Sequence, residues 1–95
     1  VSAGLFLRVR WTSHDPDDPV LLWSHVVDGW EVRKVDEYDD GRLVWADSDH
    51  AAGSTILSQT PIPPPAEIAI DPQFVVEIID EAAFDFVWSQ ARGDV

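Results

Sequence analysis

Leu5, Leu7, Val9 and Trp11 alternate with Arg8 and Arg10, and a period of two with one apolar and one polar side marks a half-buried strand. The pattern predicts a first strand over Leu5 to Trp11 with its Leu, Val and Trp side chains turned to the core. Three aspartates and two prolines between Thr12 and Pro19 leave nothing apolar to bury, so an exposed loop is expected there. Val20 to Val27 is apolar and rich in Val and Leu, and Asp28-Gly29 separates it from Trp30-Glu31-Val32-Arg33. Asp-Gly between two such runs predicts a two-residue type I′ hairpin, because both central residues need positive φ. In that register Val27 faces Trp30, His25 faces Val32, and Trp23 faces Lys34 as a cation–π pair.

Asp40-Gly41 repeats the device, which sets Asp39 opposite Arg42, Tyr38 opposite Leu43 and Asp36 opposite Trp45 in a second hairpin. Trp30 and Val32 share one parity, Val35 has the other and Tyr38 returns to the first, so a bulge is predicted within Val32 to Tyr38. Arg42 to Asp47 continues as a fourth strand, Ser48 to Ser54 reads as a polar loop, and Thr55 to Thr60 as a weaker fifth strand at a sheet edge. Pro61-Ile62-Pro63-Pro64-Pro65 is then a stiff, extended connection. Pro65 suits the first position of a short helix through Ile70, and Asp71-Pro72 stops it. Gln73 to Ile79 is β-branched and mainly apolar, which predicts an extended segment.

Asp80 is placed to cap a C-terminal helix, with Glu81 in its first turn and Gly93 ending it. Within that helix Phe84, Val87, Trp88 and Ala91 recur at i, i+3, i+4 and i+7, a single stripe that should pack on the sheet. The expected fold is therefore α+β, an antiparallel meander of four to five strands packed against the C-terminal helix and the short preceding helix. Residues 1–95 form a single domain in this reading, with a β half over 5–60, a Pro-rich connection over 61–65 and a helical half over 66–92. Both helices are expected to cover one face of the sheet.

Composition narrows the functional classes. There are 95 residues, enough to bury a core without metal or disulfide staples. The absence of cysteine removes disulfides, thiolate zinc sites and cysteine nucleophiles. A net charge of −12 argues against nucleic acid and anionic membrane as partners. Ala3 to Leu7 is short for a secretory h-region and is followed, not preceded, by arginines, so a soluble cytoplasmic protein is expected.

No phosphate loop, dinucleotide fingerprint, nucleophile elbow or zinc-protease pair occurs, and neither a cofactor nor a set of catalytic residues is implied. His14, His25 and His50 lie 11 and 25 residues apart, a rhythm that matches no known ligand set, and His25 reads as a structural residue of a strand. A metal site would have to combine these histidines with Asp15 or Asp49, and the metal-dependent alternative uses His14, Asp15 and His50. Asp15-Pro16-Asp17-Asp18 lacks the central glycine and distal Glu of a calcium loop and reads as an Asp-rich turn.

The charge is local. Residues 1–11 carry two arginines and no acid, whereas residues 12–40 carry nine acids against Arg33 and Lys34. Asp15, Asp17 and Asp18 crowd one loop, and Asp36, Glu37, Asp39 and Asp40 crowd one hairpin tip. Trp11 and Trp88 fit core positions, while Trp23, Trp30 and Trp45 sit in the hairpins. Tryptophan ringed by charge is the composition of a binding hot spot, so Trp30 and Trp45 join the seven acids as the candidate partner-binding set.

Leu7-Arg8-Val9-Arg10-Trp11, Asp17-Asp18-Pro19-Val20-Leu21-Leu22-Trp23-Ser24, Gly29-Trp30-Glu31-Val32-Arg33-Lys34-Val35 and Asp40-Gly41-Arg42-Leu43 resemble an uncharacterised family of short acidic bacterial domains, a domain of unknown function. The tail from Pro61-Ile62-Pro63 through Glu67-Ile68 and Asp71-Pro72 to Phe84 and Val87-Trp88 shares the likeness. The resemblance implies a free-standing bacterial cytoplasmic domain and brings no catalytic residue with it. Small acidic domains of this kind look like immunity proteins that neutralise toxins. The expected function is thus a non-enzymatic protein-binding domain for a basic partner, monomeric or weakly dimeric. The alternatives are a small metal-dependent enzyme and a structural module that homo-oligomerises through an edge strand.

Overall fold

The computed structural model describes residues 4–12, 15–48, 57–58 and 61–93, and the backbone alone of 50–51. The alternating segment forms β1, Leu5–Trp11, as its pattern predicts. β2, Leu21–Val27, and β3, Trp30–Glu37, follow as an antiparallel hairpin. Asp28 and Gly29 both have positive φ, 53° and 84°, and Val27 pairs with Trp30, the geometry of a type I′ turn.

Further from the turn the predicted register changes. Val26 pairs with Glu31 but His25 with Arg33, which leaves Val32 as the extra residue of a bulge. Trp23 therefore opposes Val35, not Lys34. The cation over the Trp23 ring is Arg8 of β1, with its guanidinium carbon 5.5 Å from the ring centroid.

β4, Leu43–Asp47, pairs with β3 through Glu37↔Leu43, Asp36↔Val44 and Val35↔Trp45, one residue away from the two-residue register. Tyr38 N–H donates to Arg42 O at 2.9 Å and Gly41 has φ 87°. Asp39-Asp40-Gly41 is thus a three-residue loop that ends on a left-handed glycine, the next most common hairpin connection. The fifth strand described, β5 at His50–Ala51, pairs with β4 inside the segment expected to be loop. Of the predicted strand at Thr55 to Thr60 only Leu57 and Ser58 are described, and neither is extended in the sheet; the rest lies outside the described residues.

After the prolines come α1, Pro65–Ile68, and β6, Phe74–Ile79. β6 lies beside β1, antiparallel to it, so the strand order is β5-β4-β3-β2-β1-β6. α2, Glu81–Arg92, follows. Asp80 accepts from Ala83 N–H at 2.8 Å as its N-cap, and Gly93 closes it with φ 77°.

Pairing with β6 makes β1 an interior strand, and both of its faces are covered. On one face Phe6, Val35, Phe84, Val87 and Trp88 form a buried cluster, with Trp23, Leu43, Trp45, Ile79 and Ala91 packed around it. The predicted helical stripe is the half of this core that α2 supplies. Arg33 completes the layer, its guanidinium carbon 4.8 Å from the Phe84 ring and 5.2 Å from that of Trp88. Its Nε–H donates to His25 Nδ1 at 3.0 Å, and the His25 ring stacks on Phe6 with centroids 4.3 Å apart.

Leu7 and Val9, the predicted core side of β1, are buried on the other face. The two helices do not share a face: Ile68 of α1, with Ile62 and Pro63, lines a space over Leu7 and Val9 on the side away from α2. Residues 57–58 and 61–65 lie on this second face as a proline-rich strap, β6 follows at the edge beside β1, and α2 packs on the first face. Ile62 N–H anchors the strap by donating to Gly29 O at 2.7 Å. Among the described residues no helix is long and apolar enough to cross a membrane.

Candidate functional site

In an antiparallel sheet β1 and β3 run the same way, so the loops that follow them leave from one end. Val20 N–H donates to Glu37 O at 2.8 Å and ties the two together. The loop bearing Asp15, Asp17 and Asp18 and the tip bearing Asp39 and Asp40 are therefore neighbours. The turn before β6 joins them, because Thr12 N–H donates to Gln73 O at 2.7 Å, and this adds Asp71.

Several of these acids also build their own turns. Asp18 Oδ2 accepts from Asp15 N–H at 3.2 Å and Asp40 Oδ1 from Arg42 N–H at 2.9 Å. The Gln73 side-chain amide and then its backbone N–H donate to Asp71 and hold that carboxyl below its ordinary range. Arg42 lies among them with its guanidinium carbon 4.2 Å from the ring of Tyr38. The end of the sheet is thus a rim of carboxylates fixed by short local hydrogen bonds.

The remaining members of the predicted set go elsewhere. Trp30, 49 % exposed, stands at the Asp28-Gly29 hairpin, at the opposite end of the sheet from the acids. Trp45 is turned to α2, edge-on to Trp88 with centroids 5.2 Å apart. Glu37 accepts from Trp23 Nε1–H at 3.3 Å. Asp36 is buried under the strap side of the sheet, with its Oδ1 3.6 Å from Lys34 Nζ. Asp36, Trp45 and Trp30 are therefore not part of the acidic rim. Nearness in sequence alone groups Asp36 with its neighbours, whereas in a strand neighbours point to opposite faces. His14 and Asp49 lie outside the described residues, as does the side chain of His50.

The second feature was not anticipated. Between the sheet and the strap lies a cavity of about 450 Å³, within the usual range of small-molecule sites. Leu7, Val9, Leu22, Ile62, Ile68 and Phe74 supply apolar wall, and Ser24, Glu31, Lys34 and Ser58 the polar groups. Glu31 is only 8 % exposed. Its Oε2 accepts from Ser24 Oγ–H at 2.6 Å and its Oε1 from Ser58 N–H at 2.9 Å. One signal for this site is present in the sequence: Ser24 and Glu31 interrupt two apolar runs on either side of the hairpin. Both share the face of Leu22 in the predicted hairpin register already, and the bulge at Val32 adds Lys34 to it, opposite Ser24.

No curated protein and no solved structure matches the chain. A family model does match, over residues 5–93, close to the whole length. The protein belongs to the family described as domain of unknown function DUF6881.

Proposed function

We propose that this is a non-enzymatic protein-binding domain whose acidic end docks a basic surface of a partner protein. An immunity or inhibitor role against a basic toxin in the cytoplasm is its most concrete form. The observation that carries the reading is the gathering of Asp15, Asp17, Asp18, Asp39, Asp40 and Asp71 at one end of the sheet by antiparallel topology. Six acids around Arg10 and Arg42 leave this end net negative, and such a surface steers an oppositely charged protein and raises its association rate.

The test is a pull-down from the source cell with the wild type and with a variant carrying Asp15→Asn, Asp17→Asn, Asp18→Asn, Asp39→Asn and Asp40→Asn. Asparagine can still accept the turn hydrogen bonds, so the loops should keep their shape. Retention of a basic protein should fall roughly tenfold or more both in the variant and on raising salt to about 1 M, where the Debye length shrinks to about 3 Å. A neutral partner, or binding indifferent to both changes, would overturn the electrostatic reading.

A second reading, self-association through a sheet edge, is favoured by β6. Val75 and Ile78 are exposed on its two faces, 56 % and 63 %, and such an edge is a template for strand pairing. Size-exclusion at two concentrations separates the readings. A binder that acts as a monomer elutes unchanged, while an apparent mass that rises with concentration supports the edge.

A further inference from the structure

The wall of the cavity under the strap holds a buried carboxylate, Glu31, whose only basic neighbour in the lining, Lys34, is engaged by Asp36 outside it. Glu31 has two hydrogen bonds, both from neutral donors, and no ion pair among the described residues. Hydrogen bonds satisfy its lone pairs only in part, since an ionised carboxylate presents about four acceptor sites. Burial of such a charge without a counter-charge is costly. Lys34 lines the same cavity but sits 3.6 Å from Asp36, whose buried Oδ1 has no hydrogen-bond partner among the described residues. One lysine thus serves two buried acids, and it is Asp36 that it pairs with, which leaves Glu31 without a counter-charge beside an apolar space.

We propose that the cavity binds a small amphipathic amine, with its cationic nitrogen at Glu31 and its hydrocarbon body against Leu7, Val9, Leu22, Ile68 and Phe74. An anionic ligand would add a further like charge to this wall. A neutral one would bury apolar area and leave Glu31 uncompensated. A protonated amine does both jobs: it supplies the missing charge and donates to the acceptor sites that Ser24 and Ser58 leave vacant. The acidic rim plays no part in this inference, which stands or falls separately.

Glu31 has a structural alternative, as a bridge that pins Ser58 of the strap to Ser24 of β2, and the experiment must separate the two. Three probes of one shape, 4-phenylbutylamine, 4-phenylbutanol and 4-phenylbutyrate, are titrated into the full chain, with affinity read by calorimetry and position by amide NMR shifts. The amine should bind about tenfold or more tighter than the alcohol, the value of one hydrogen bond to a charged group, and the acid weakest. Shifts should centre on Leu7, Val9, Leu22 and Phe74. Glu31→Gln keeps one oxygen for Ser58 N–H and can turn its amide N–H to Ser24 Oγ, so the bridge survives, and it should lower amine affinity to that of the alcohol. Ile62→Trp, which fills the space without touching Glu31, should abolish binding of both. Equal affinity for the three probes, amine shifts confined to the acidic rim, or an undiminished amine affinity in Glu31→Gln would each overturn the proposal.

Discussion

Phe84→Ala should destabilise the domain by about 3 to 5 kcal/mol, the usual range for a buried aromatic cut back to a methyl group. Phe84 is fully buried within the helix-side core. Its ring lies 5.5 Å from that of Phe6, 6.1 Å from that of Trp88, and under the guanidinium of Arg33. Truncation removes apolar burial and the cation–π contact together, and leaves a void that the sheet cannot close. A domain of this size is held by only about 5 to 15 kcal/mol. The midpoint of thermal unfolding should therefore fall by roughly 12 to 40 °C. Guanidinium denaturation should show a lower midpoint at an unchanged slope. A loss under about 1 kcal/mol, the level of an average substitution, would mean that α2 is not seated as described.

Leu7→Ala tests the other face, and its expected cost is about 2 to 4 kcal/mol. Leu7 is 1 % exposed and lies beneath the strap. The space left by its side chain would merge with the cavity already present. The opposite wall is fastened at Ile62 to Gly29 and at Ser58 to Glu31, so it has little freedom to collapse inward and recover contacts. The same denaturant measurement reads the effect. A loss within about 0.5 kcal/mol, typical of a surface site, would show that the strap does not close this face and that the sheet has one core and not two.

Those two substitutions mark where local reasoning held and where it stopped. The extent of β1, Leu5 to Trp11, is legible because alternation is a property of the strand itself. Asp28-Gly29 was legible because the type I′ turn demands positive φ from its own two residues. The ends of α2 were legible for a similar reason: Asp80 and Gly93 satisfy backbone groups within one turn of themselves. Asp40-Gly41 shows the limit of such signals. The same dipeptide serves a two-residue and a three-residue loop, and one residue of register separates them.

Phe6 is the clearest residue that alternation misassigned. It shares a parity with Arg8 and Arg10, and so reads as part of a polar face. That face is polar only towards the acidic end, where Arg10 is exposed; Arg8 covers Trp23 and pairs with Glu77 of β6. Towards the other end it holds Phe6 under α2. The requirement comes from β6, which lies 69 residues from Arg8 in sequence at that ion pair and turns β1 from an edge into an interior strand. No pattern inside β1 reports the arrival of a neighbour so far away.

The candidate sites divide in the same way. That Asp15 to Asp18 and Asp39-Asp40 are exposed turns follows from their composition. That they stand side by side depends on β1 and β3 pointing the same way, which is a fact of sheet order. Glu31, Lys34 and Ser24 gave little signal, because a polar residue in an apolar run reads equally as outward-facing until the bulge at Val32 and the covering strap are known.

What the sequence determined by itself is everything whose partners are within a few residues: strand period, the Asp28-Gly29 turn, the caps and inner stripe of α2, and the local density of negative charge. Only the tertiary structure decided which faces are core, that β6 completes the sheet, that the acids form one rim, and that a charged cavity lies beneath the strap. The physical reason is range. Hydrogen bonds and steric preferences along the backbone act over one turn or one hairpin, whereas burial and charge depend on which distant segments come to cover a given side chain.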